Sequence, residues 1–379
     1  MASLFCGGNL GFRLQIVDGF CSQKNYTTSR IFPLVPRFHP FVKEQSSGRR
    51  KHGKLWKFSD ESNSNISEGD EISKGALIWR AVKLPIYSVA LVPLTIASAC
   101  AYIHSSQFPI SRYLLLLSSS ILIITWLNLS NDVYDFDTGA DKNKKESIVN
   151  LAGSRTGTLV AAIACLDLGF AGLVWASMKA ANLRAILLLA CAIFCGYIYQ
   201  CPPFRLSYHG LGEPLCFAAF GPFATTAFYM LMDKSSMASS LPLTGTVLCA
   251  SVLVGFTTSL ILFCSHFHQV EEDIAVGKLS PLVRLGTEKG SLVVKVAIAM
   301  LYVILLGFGF SQTLPLTSTL LCLLTLPMGH RVVSFVKENH EDKQLIFMAK
   351  YYCVRLHALL GAALTVELMM TKKVRLMAT

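Results

Sequence analysis

Long apolar runs separated by short polar stretches dominate the sequence after about residue 80. Each run is close to the roughly 20 residues that a helix needs to cross the hydrocarbon core of a bilayer. Backbone exposed to lipid must satisfy its own hydrogen bonds, which favours helices. The pattern therefore predicts an all-α polytopic membrane protein with about nine transmembrane helices, near residues 84–103, 113–131, 157–177, 183–200, 213–232, 242–264, 292–311, 314–330 and 351–370.

Composition supports a membrane protein and gives no indication of a large soluble domain. Hydrophobic residues make up 53% of the 379-residue chain, and charged residues make up only 15%. A soluble chain of this length usually has about 25% charged residues. The Lys and Arg residues between the spans lie mainly in connections that follow even-numbered spans, as the positive-inside rule expects of one membrane side.

The N-terminal segment has a different composition from the rest of the chain. Residues 1–59 contain ten Lys or Arg residues and two acids, which leaves eight of the net eleven positive charges in this segment. A basic, serine-rich and acid-poor start predicts an organelle transit peptide, here of the plastid type, and the alternative is a basic tail that is never removed. We interpret residues 60–76 as a polar linker, 77–371 as the transmembrane domain and 372–379 as a basic tail.

A first cluster of polar residues follows the second apolar run. Asn131, Asp132, Asp135 and Asp141 lie within eleven residues, and Lys142, Lys145 and Arg155 come shortly after them. Carboxylates at the end of a membrane helix are costly unless a cation offsets their repulsion, and oxygen ligands of this kind suit Mg²⁺. The basic residues suit a phosphate group held by that metal. The cluster predicts a membrane enzyme that acts on a diphosphate.

A second cluster with the same layout follows the sixth run. Glu271, Glu272 and Asp273 are followed by Lys278. Four spans separate the two clusters, so both should lie on the same membrane face, where they can meet. Two metal ions that clamp a leaving group are a known catalytic arrangement. The alternative is that each acidic loop is a solvated helix end.

These motifs resemble those of the UbiA superfamily of intramembrane aromatic prenyltransferases. The resemblance rests on Asn131-Asp132-x-x-Asp135-x-x-x-Gly139-x-Asp141 and on Glu271-Glu272-Asp273-x-x-x-Gly277-Lys278. The segments 278–286, 199–206 and 210–213 are most similar to the MenA branch, which prenylates 1,4-dihydroxy-2-naphthoate. The resemblance covers roughly residues 77–370, and the basic N-terminus is typical of plastid members that act in phylloquinone synthesis.

The resemblance implies a UbiA-like bundle around a central cavity in a chloroplast membrane, either envelope or thylakoid. It implies transfer of a C20 phytyl group from its diphosphate to the naphthoate with loss of CO₂, with Mg²⁺ as cofactor. The residues fall into four implied roles: catalytic, Asp132, Asp135 and Asp273; metal-binding, Asn131, Asp132, Asp135, Asp141, Glu272 and Asp273; diphosphate-binding, Lys142, Lys145, Arg155 and Lys278; acceptor-binding, Arg205, His268 and Tyr199.

One position departs from the family pattern. Many members have an Asp four residues before the last Asp of the second motif, and here that residue is Gln269. Glu271 or Glu272 is the candidate to replace the missing ligand. His266 and His268 could orient the acceptor, act as a base or be plain loop histidines. Asp167, in the third span, has either a functional or a structural role.

Other functions remain open at this point. Within the enzyme class, the rivals are prenyltransferases for homogentisate or another aromatic acid. Outside it, the alternatives are an ion-coupled transporter and an inactive membrane scaffold. A transporter usually has acids inside its spans and an inverted repeat, whereas the acidic clusters here lie at span ends. Gln269 is the feature that favours a scaffold.

Overall fold

The helices follow the apolar runs of the sequence. The computed structural model describes residues 83–140, 147–233 and 244–378, with 372–378 as backbone alone, and every regular element within those ranges is helical. The all-helical prediction is therefore confirmed. Nine candidate spans lie in the described ranges, counting one bent pair: α1 Pro85–Ser105, α2 Ile110–Thr138, α3 Arg155–Lys179, α4 Leu183–Gln200, α5 Gly212–Met232, α6 Gly245–Ala275, α7 Thr287–Phe310, α8 Leu316–Leu323 with Leu326–Asn339, and α9 Ile346–Thr371.

Two helices continue well beyond the apolar runs that predict them. The runs end at residues 131 and 264, whereas α2 continues to Thr138 and α6 to Ala275. Gly139 ends α2 in the left-handed conformation, with φ of 83°, which glycine adopts without a Cβ penalty. Asn131, Asp132 and Asp135 therefore lie on α-helix, where helical spacing determines which side chains share a face. The acids of the second motif lie on the short α-helix Val270–Ala275, which follows a 3-10 turn at Phe267–Gln269.

The eighth and ninth spans differ from the prediction in detail. The two halves of α8 meet at an angle of 41°. Pro327 lies in the first turn of the second half, where a missing N–H costs no hydrogen bond. The helix of α9 continues as far as Ala378, so the backbone of 372–378 is helical. The predicted basic tail is thus continuous with the last span.

The helix α5 packs tightly against α6 through small residues. Its middle, Ala219–Thr225, is a π-helical segment that contains Pro222. A Cβ atom on Gly221 would lie 2.6 Å from the carbonyl oxygen of Ser251 and 3.0 Å from the Cα of Gly255. Small residues of this kind allow membrane helices to approach closely.

We expect Gly221→Ala to destabilise the protein by about 2 kcal/mol, because the new methyl group must displace the backbone of α6. The matched control is Gly307→Ala on α7, where a Cβ meets nothing within 4 Å among the described residues. The measurement is the thermal unfolding midpoint in detergent. A lower midpoint for Gly307→Ala than for Gly221→Ala would contradict the assigned packing.

A buried carboxylate joins α8 to α9. Glu367 accepts hydrogen bonds from Thr317 at 2.5 Å and from Thr371 at 2.5 Å, and Ser318 donates to its other oxygen. Burying a carboxylate is costly unless donors surround it. These three hydroxyl groups satisfy Glu367, so the contact fixes the first half of α8 against the last span.

Short connections join the helix ends at the side where both acidic motifs lie. The Tyr208 hydroxyl donates to Thr138 Oγ1 at 3.1 Å, and the Leu279 N–H donates to the Tyr208 carbonyl at 2.9 Å. Arg284 donates to the His209 carbonyl at 2.8 Å. These bonds link the end of α2 to the α4–α5 and α6–α7 connections, and so hold the two motifs at one end of the bundle.

Candidate active site

A cavity of about 300 Å³ lies among the helices, with walls from α1 to α6 and α9. Its polar end is formed by residues of both acidic motifs and by lysines. The polar lining residues are Lys83, Ser120, Asn128, Asn131, Asp135, Tyr199, Gln200, Thr258, Ser265, His266, His268, Gln269, Lys278 and Lys350. The structure therefore brings the two motifs to one site, as their placement after the second and sixth spans predicts.

The first motif presents one helix face to the cavity. Asn128, Asn131 and Asp135 lie three and four residues apart on α2, which places them on one side of the helix. The Asn131 side-chain amide donates to Asp135 Oδ2 at 2.7 Å. An amide oxygen and a carboxylate thus occupy the cavity wall together, as hard oxygen donors.

Asp132 lies on the next face of the same helix and is wholly buried. Its Oδ1 is 3.3 Å from the Lys83 ammonium, and its Oδ2 accepts a hydrogen bond from the Ile148 N–H at 3.0 Å. Lys83 lines the cavity, whereas Asp132 stands behind it. In this structure Asp132 holds a cavity lysine and the start of the helix Ile148–Ala152.

The second motif has a similar division of roles. His268, Gln269 and Lys278 line the cavity, and Asp273 is buried with its Oδ1 3.0 Å from the Lys278 ammonium. The Lys278 N–H also donates to the Asp273 carbonyl at 2.8 Å. Asp273 Oδ2 is buried and has no hydrogen-bond partner among the described residues. Asp273 therefore positions Lys278 and keeps one unused acceptor oxygen.

Glu271 and Glu272 are held by a lysine from another connection. The Lys343 ammonium lies 2.8 Å from Glu271 Oε2 and 2.6 Å from Glu272 Oε1. The hydrogen bonds to Glu271 and Glu272 raise the pKa of Lys343 above the ordinary value for lysine. The Glu271 side chain is 80% exposed. Gln269 lines the cavity, whereas neither glutamate does.

Several other predicted site residues lie elsewhere. Arg155 pairs with Asp137 through two hydrogen bonds, of 3.0 and 2.7 Å, in a half-exposed position. The Arg205 guanidinium carbon is 5.9 Å from the Tyr208 ring centre. Neither arginine belongs to the described lining of the cavity. Asp167 is exposed on the outer face of α3. The predicted ligands Asp141, Lys142 and Lys145 lie outside the described residues, as do the N-terminal segment and linker.

The structure adds two lysines that sequence reasoning did not assign to the site. Lys83 precedes α1, and Lys350 lies in the first turns of α9; both line the cavity. The Lys350 ammonium is 3.8 Å from the ring centre of Phe347, and the Phe347 ring packs edge-on against His268. The available sequence signal for Lys350 was a lysine flanked by aromatics at the start of an apolar run, which also describes an ordinary membrane-interface anchor.

The rest of the cavity is apolar and extends deep into the bundle. Ser120 and Asp135 both line it and are fifteen residues apart on one helix, which corresponds to about 22 Å. Apolar side chains form the deep wall: Ile86, Val89, Ile123, Ile124, Leu127, Leu173, Leu189, Ile193, Phe220, Phe228, Ile261 and Leu262. Such a site fits a molecule with a charged head and a long apolar chain.

Among the described residues, no three His, Cys, Asp or Glu side chains converge to form a metal site by themselves. The oxygen donors that the two motifs present at the cavity are instead the carboxylate of Asp135 and the side-chain amides of Asn131 and Gln269. Lys83 and Lys278 line the same end of the cavity as these oxygen donors. The arrangement defines a membrane enzyme with a polar, anion-binding end and an apolar tunnel.

Comparison with known proteins agrees with this class. The UbiA prenyltransferase family matches residues 90–354. The chain is 67% identical over 309 residues to the chloroplastic 2-carboxy-1,4-naphthoquinone phytyltransferase of Arabidopsis thaliana, covering 82% of this chain and 81% of the relative. It is 42% identical over 285 residues to the 2-carboxy-1,4-naphthoquinone phytyltransferase of a Synechocystis species, covering 75% and 90%.

A solved structure shows the same fold. The UbiA homolog of Archaeoglobus fulgidus bound to DMAPP and Mg²⁺ superposes with a TM-score of 0.54 at 15% identity, covering 76% of this chain and 99% of that one. The chain belongs to the UbiA prenyltransferase family. It is a membrane prenyltransferase, so the enzyme class that the family resemblance implies is confirmed.

Gln269→Asp should lower the Mg²⁺ concentration needed for half-maximal activity by about fivefold, because Mg²⁺ prefers a carboxylate to an amide at a cavity position. Glu271→Gln is the matched control, because its exposed carboxylate pairs with Lys343. The measurement is turnover against Mg²⁺ concentration. The prediction is contradicted if Gln269→Asp needs the same Mg²⁺ concentration as the wild type and Glu271→Gln needs a higher one. The exposed face of this turn would then bind the metal.

Proposed function

We propose that this prenyltransferase moves a C20 phytyl group from phytyl diphosphate to 1,4-dihydroxy-2-naphthoate, with loss of CO₂, in phylloquinone synthesis. The observation that carries the proposal is the cavity, which combines carboxylate, amide and lysine groups at one end with an apolar wall about 22 Å deep. The two relatives named as 2-carboxy-1,4-naphthoquinone phytyltransferases support the choice of donor and acceptor.

The polar end fits Mg²⁺ and a diphosphate. Asp135, Asn131 and Gln269 present oxygen donors at the cavity, and Asp273 has a buried oxygen without a hydrogen-bond partner among the described residues. These residues would hold the metal, with Asp132 behind them. Mg²⁺, when bound, supplies positive charge that stabilises the departing pyrophosphate. A UbiA homolog in a structure with DMAPP and Mg²⁺ supports this use of the metal.

The lysines bind the phosphate oxygens of the donor. Lys278 and Lys83 line the cavity, and each is positioned by a buried aspartate, Asp273 at 3.0 Å and Asp132 at 3.3 Å. Positioned ammonium groups stabilise the charge that develops on the leaving pyrophosphate, so the allylic C–O bond breaks with its electron pair on oxygen. Lys142, Lys145 and Arg155 remain proposed as further phosphate ligands.

The acceptor binds between the diphosphate and the apolar wall. Tyr199 and His268 line this part of the cavity, and the face of an aromatic ring such as Tyr199 stabilises an allylic cation. The Phe347 ring fixes His268 from the side at 4.9 Å. The naphthoate ring then forms the new bond at the carbon that carries its carboxylate. Arg205 remains proposed as a ligand of that carboxylate.

The substrate assignment is tested with the purified protein, Mg²⁺ and a panel of substrates. Phytyl, geranylgeranyl and solanesyl diphosphates are each combined with 1,4-dihydroxy-2-naphthoate, homogentisate and 4-hydroxybenzoate, and the products are identified by mass. We expect the phytyl–naphthoate pair to have the highest kcat/KM. A higher value with homogentisate or 4-hydroxybenzoate would contradict the proposed acceptor, and a higher value with another diphosphate would contradict the proposed donor.

The protein acts in a chloroplast membrane, with residues 1–59 as the proposed transit peptide. The support is the basic, acid-poor composition of this segment and the chloroplastic Arabidopsis relative. Residues 1–59 fused to a fluorescent reporter should carry it into plastids of plant cells. The matched control is the same segment with its ten Lys and Arg residues replaced by Gln. A reporter that stays in the cytosol would contradict the proposal.

A further inference from the structure

A carboxylate and an imidazole from different helices meet at the cavity wall. His266 ends the regular α-helical part of α6, is 2% exposed and lines the cavity. Its Nδ1 lies 3.2 Å from Oε1 of Glu213, the second residue of α5. The two residues are far apart in sequence, so their contact is a product of the fold.

The surroundings of Glu213 hold it in this position. Glu213 lies in the first turn of α5, where the helix dipole favours a negative charge. The Ser259 hydroxyl on α6 donates to the Glu213 carbonyl at 3.0 Å. On the preceding residue, Gly212, a Cβ atom would lie only 2.9 Å from the Tyr199 ring. Close packing of α4, α5 and α6 therefore fixes the glutamate beside the histidine.

The imidazole balances the buried carboxylate. Both Glu213 carboxylate oxygens are buried and, in the described part of the chain, neither accepts a hydrogen bond. A buried carboxylate without a partner is strongly destabilising. The His266 ring at 3.2 Å is the group that offsets this cost, because a carboxylate favours a proton on the nearest imidazole nitrogen.

The contact determines which nitrogen can react. Nδ1 is buried, and Glu213 Oε1, 3.2 Å away, is the nearby acceptor in the described part of the chain, so we assign the ring proton to that nitrogen. The ring itself lines the cavity, which leaves Nε2, with its lone pair, as the nitrogen on the cavity side. An imidazole nitrogen placed at a cavity wall is the kind of group that serves as a general base. His268, two residues further along the chain, has a different neighbour, because its ring packs against the ring of Phe347.

We propose that His266 is the base that takes the hydroxyl proton of the naphthoate acceptor, and that Glu213 is the positioning residue that keeps its Nε2 free. This inference rests on the function proposed above. As the donor C–O bond breaks, its electron pair leaves with pyrophosphate. The acceptor hydroxyl next to the carboxylate-bearing carbon gives its proton to Nε2, its O–H electrons form a carbonyl, and the ring carbon bonds to the allylic carbon.

The same proton completes the reaction. The alkylated ring carbon now carries a carboxylate next to a new carbonyl, which is the arrangement of a β-keto acid. Its C–C bond breaks, CO₂ leaves, and the electron pair restores the aromatic ring with negative charge on the former carbonyl oxygen. The protonated His266 returns its proton to that oxygen. The base is regenerated, and no oxidant or reductant is consumed.

The test compares product formation with donor binding in the full-length protein with Mg²⁺. His266→Ala should lower the rate of naphthoate prenylation by about a hundredfold, the usual loss on removing a general base. The dissociation constant for phytyl diphosphate should stay within about threefold. Free imidazole should restore part of the rate by occupying the vacated space. Glu213→Gln should lower the rate by about tenfold, and Glu213→Asp should retain more activity than Glu213→Gln.

His209→Ala is the matched control, because His209 is an exposed histidine of the α4–α5 connection. His266→Gln is a second variant that preserves more of the side-chain volume. Prenylation by His266→Ala and His266→Gln at the wild-type rate would overturn the proposal. Loss of donor binding in both, without rescue by imidazole, would make His266 structural and would also overturn it. If the proposed function itself is wrong, the wild type gives no naphthoate product, which separates the two failures.

Discussion

Asp135→Ala should reduce prenyl transfer on the order of a thousandfold while leaving the protein folded, because positioned charge groups at a leaving group contribute about that much. Asp135 lies at the cavity end of α2 and accepts a hydrogen bond from Asn131 at 2.7 Å. Removing its carboxylate removes an oxygen donor for Mg²⁺ without opening a packed helix seam. The measurement is product formation at saturating Mg²⁺, together with the thermal unfolding midpoint in detergent.

Asp137→Ala is the matched control for this prediction. Asp137 lies two residues further along the same helix and is also a carboxylate with a hydrogen-bonded partner. It pairs with Arg155 in a half-exposed position and does not belong to the described cavity lining. We expect Asp137→Ala to keep activity within about fivefold of the wild type, because exposed ion pairs contribute little. Equal losses in the two variants would show that the cavity is not where the diphosphate binds.

Asp132→Ala should cost about 3 kcal/mol of stability as well as activity, because it leaves Lys83 without its buried partner. The wholly buried carboxylate also accepts the Ile148 N–H at 3.0 Å, which loses its hydrogen bond in the variant. The difference from Asp135→Ala is the informative result. Two aspartates of one motif should give the same loss of activity but different unfolding midpoints.

A double replacement tests the cause of that instability. Lys83→Met combined with Asp132→Leu exchanges the ion pair for apolar groups of similar size, which usually restores most of the stability lost on removing one charge. We expect the unfolding midpoint of the double variant to lie closer to the wild type than that of Asp132→Ala. If the stability losses of the single variants Lys83→Met and Asp132→Leu simply add up in the double variant, Lys83 and Asp132 do not interact.

The membrane architecture was predictable because hydropathy reports the lipid-facing and buried length of each helix directly. The same signal failed at the ends of α2 and α6, where the helix continues through acidic residues to Thr138 and Ala275. The apolar signal stops at the first polar residues, whereas the helical backbone continues for about two more turns in α2 and about three in α6. The 41° bend of α8 shows the same limit, since composition does not report a change in helix direction.

The sequence indicates which motifs form the site, but not which helix face of each motif points to the cavity. Helical spacing places Asn131 and Asp135 together, but it does not say which face of α2 meets the cavity. Asp132 faces away because Lys83 and the Ile148 N–H lie there, and neither is near it in sequence. Glu272 likewise pairs with Lys343, a residue that is distant in the sequence. These partners come from other elements, so only the folded bundle shows which acids remain at the cavity.

The contact between Glu213 and His266 was also not predictable from the sequence. In the sequence, Glu213 ends the segment 210–213 and His266 precedes the second motif, but they are 3.2 Å apart only because α5 packs on α6. Lys350 had a misleading signal, since a lysine beside aromatic residues at a span end is normally an interface anchor. Its position in the cavity follows from the direction in which α9 begins.

The proposed reaction in this cavity joins a prenyl group to the carboxylate-bearing carbon of a naphthoate. The most direct measurement uses 1,4-dihydroxy-2-naphthoate labelled with ¹³C in its carboxyl group, together with phytyl diphosphate, Mg²⁺ and the purified protein. Labelled CO₂ and pyrophosphate are quantified over time. We expect them to be released in equal amounts, with an unlabelled prenylated naphthoquinol as product. Pyrophosphate released without labelled CO₂, or a product that keeps the label, would contradict the proposed reaction.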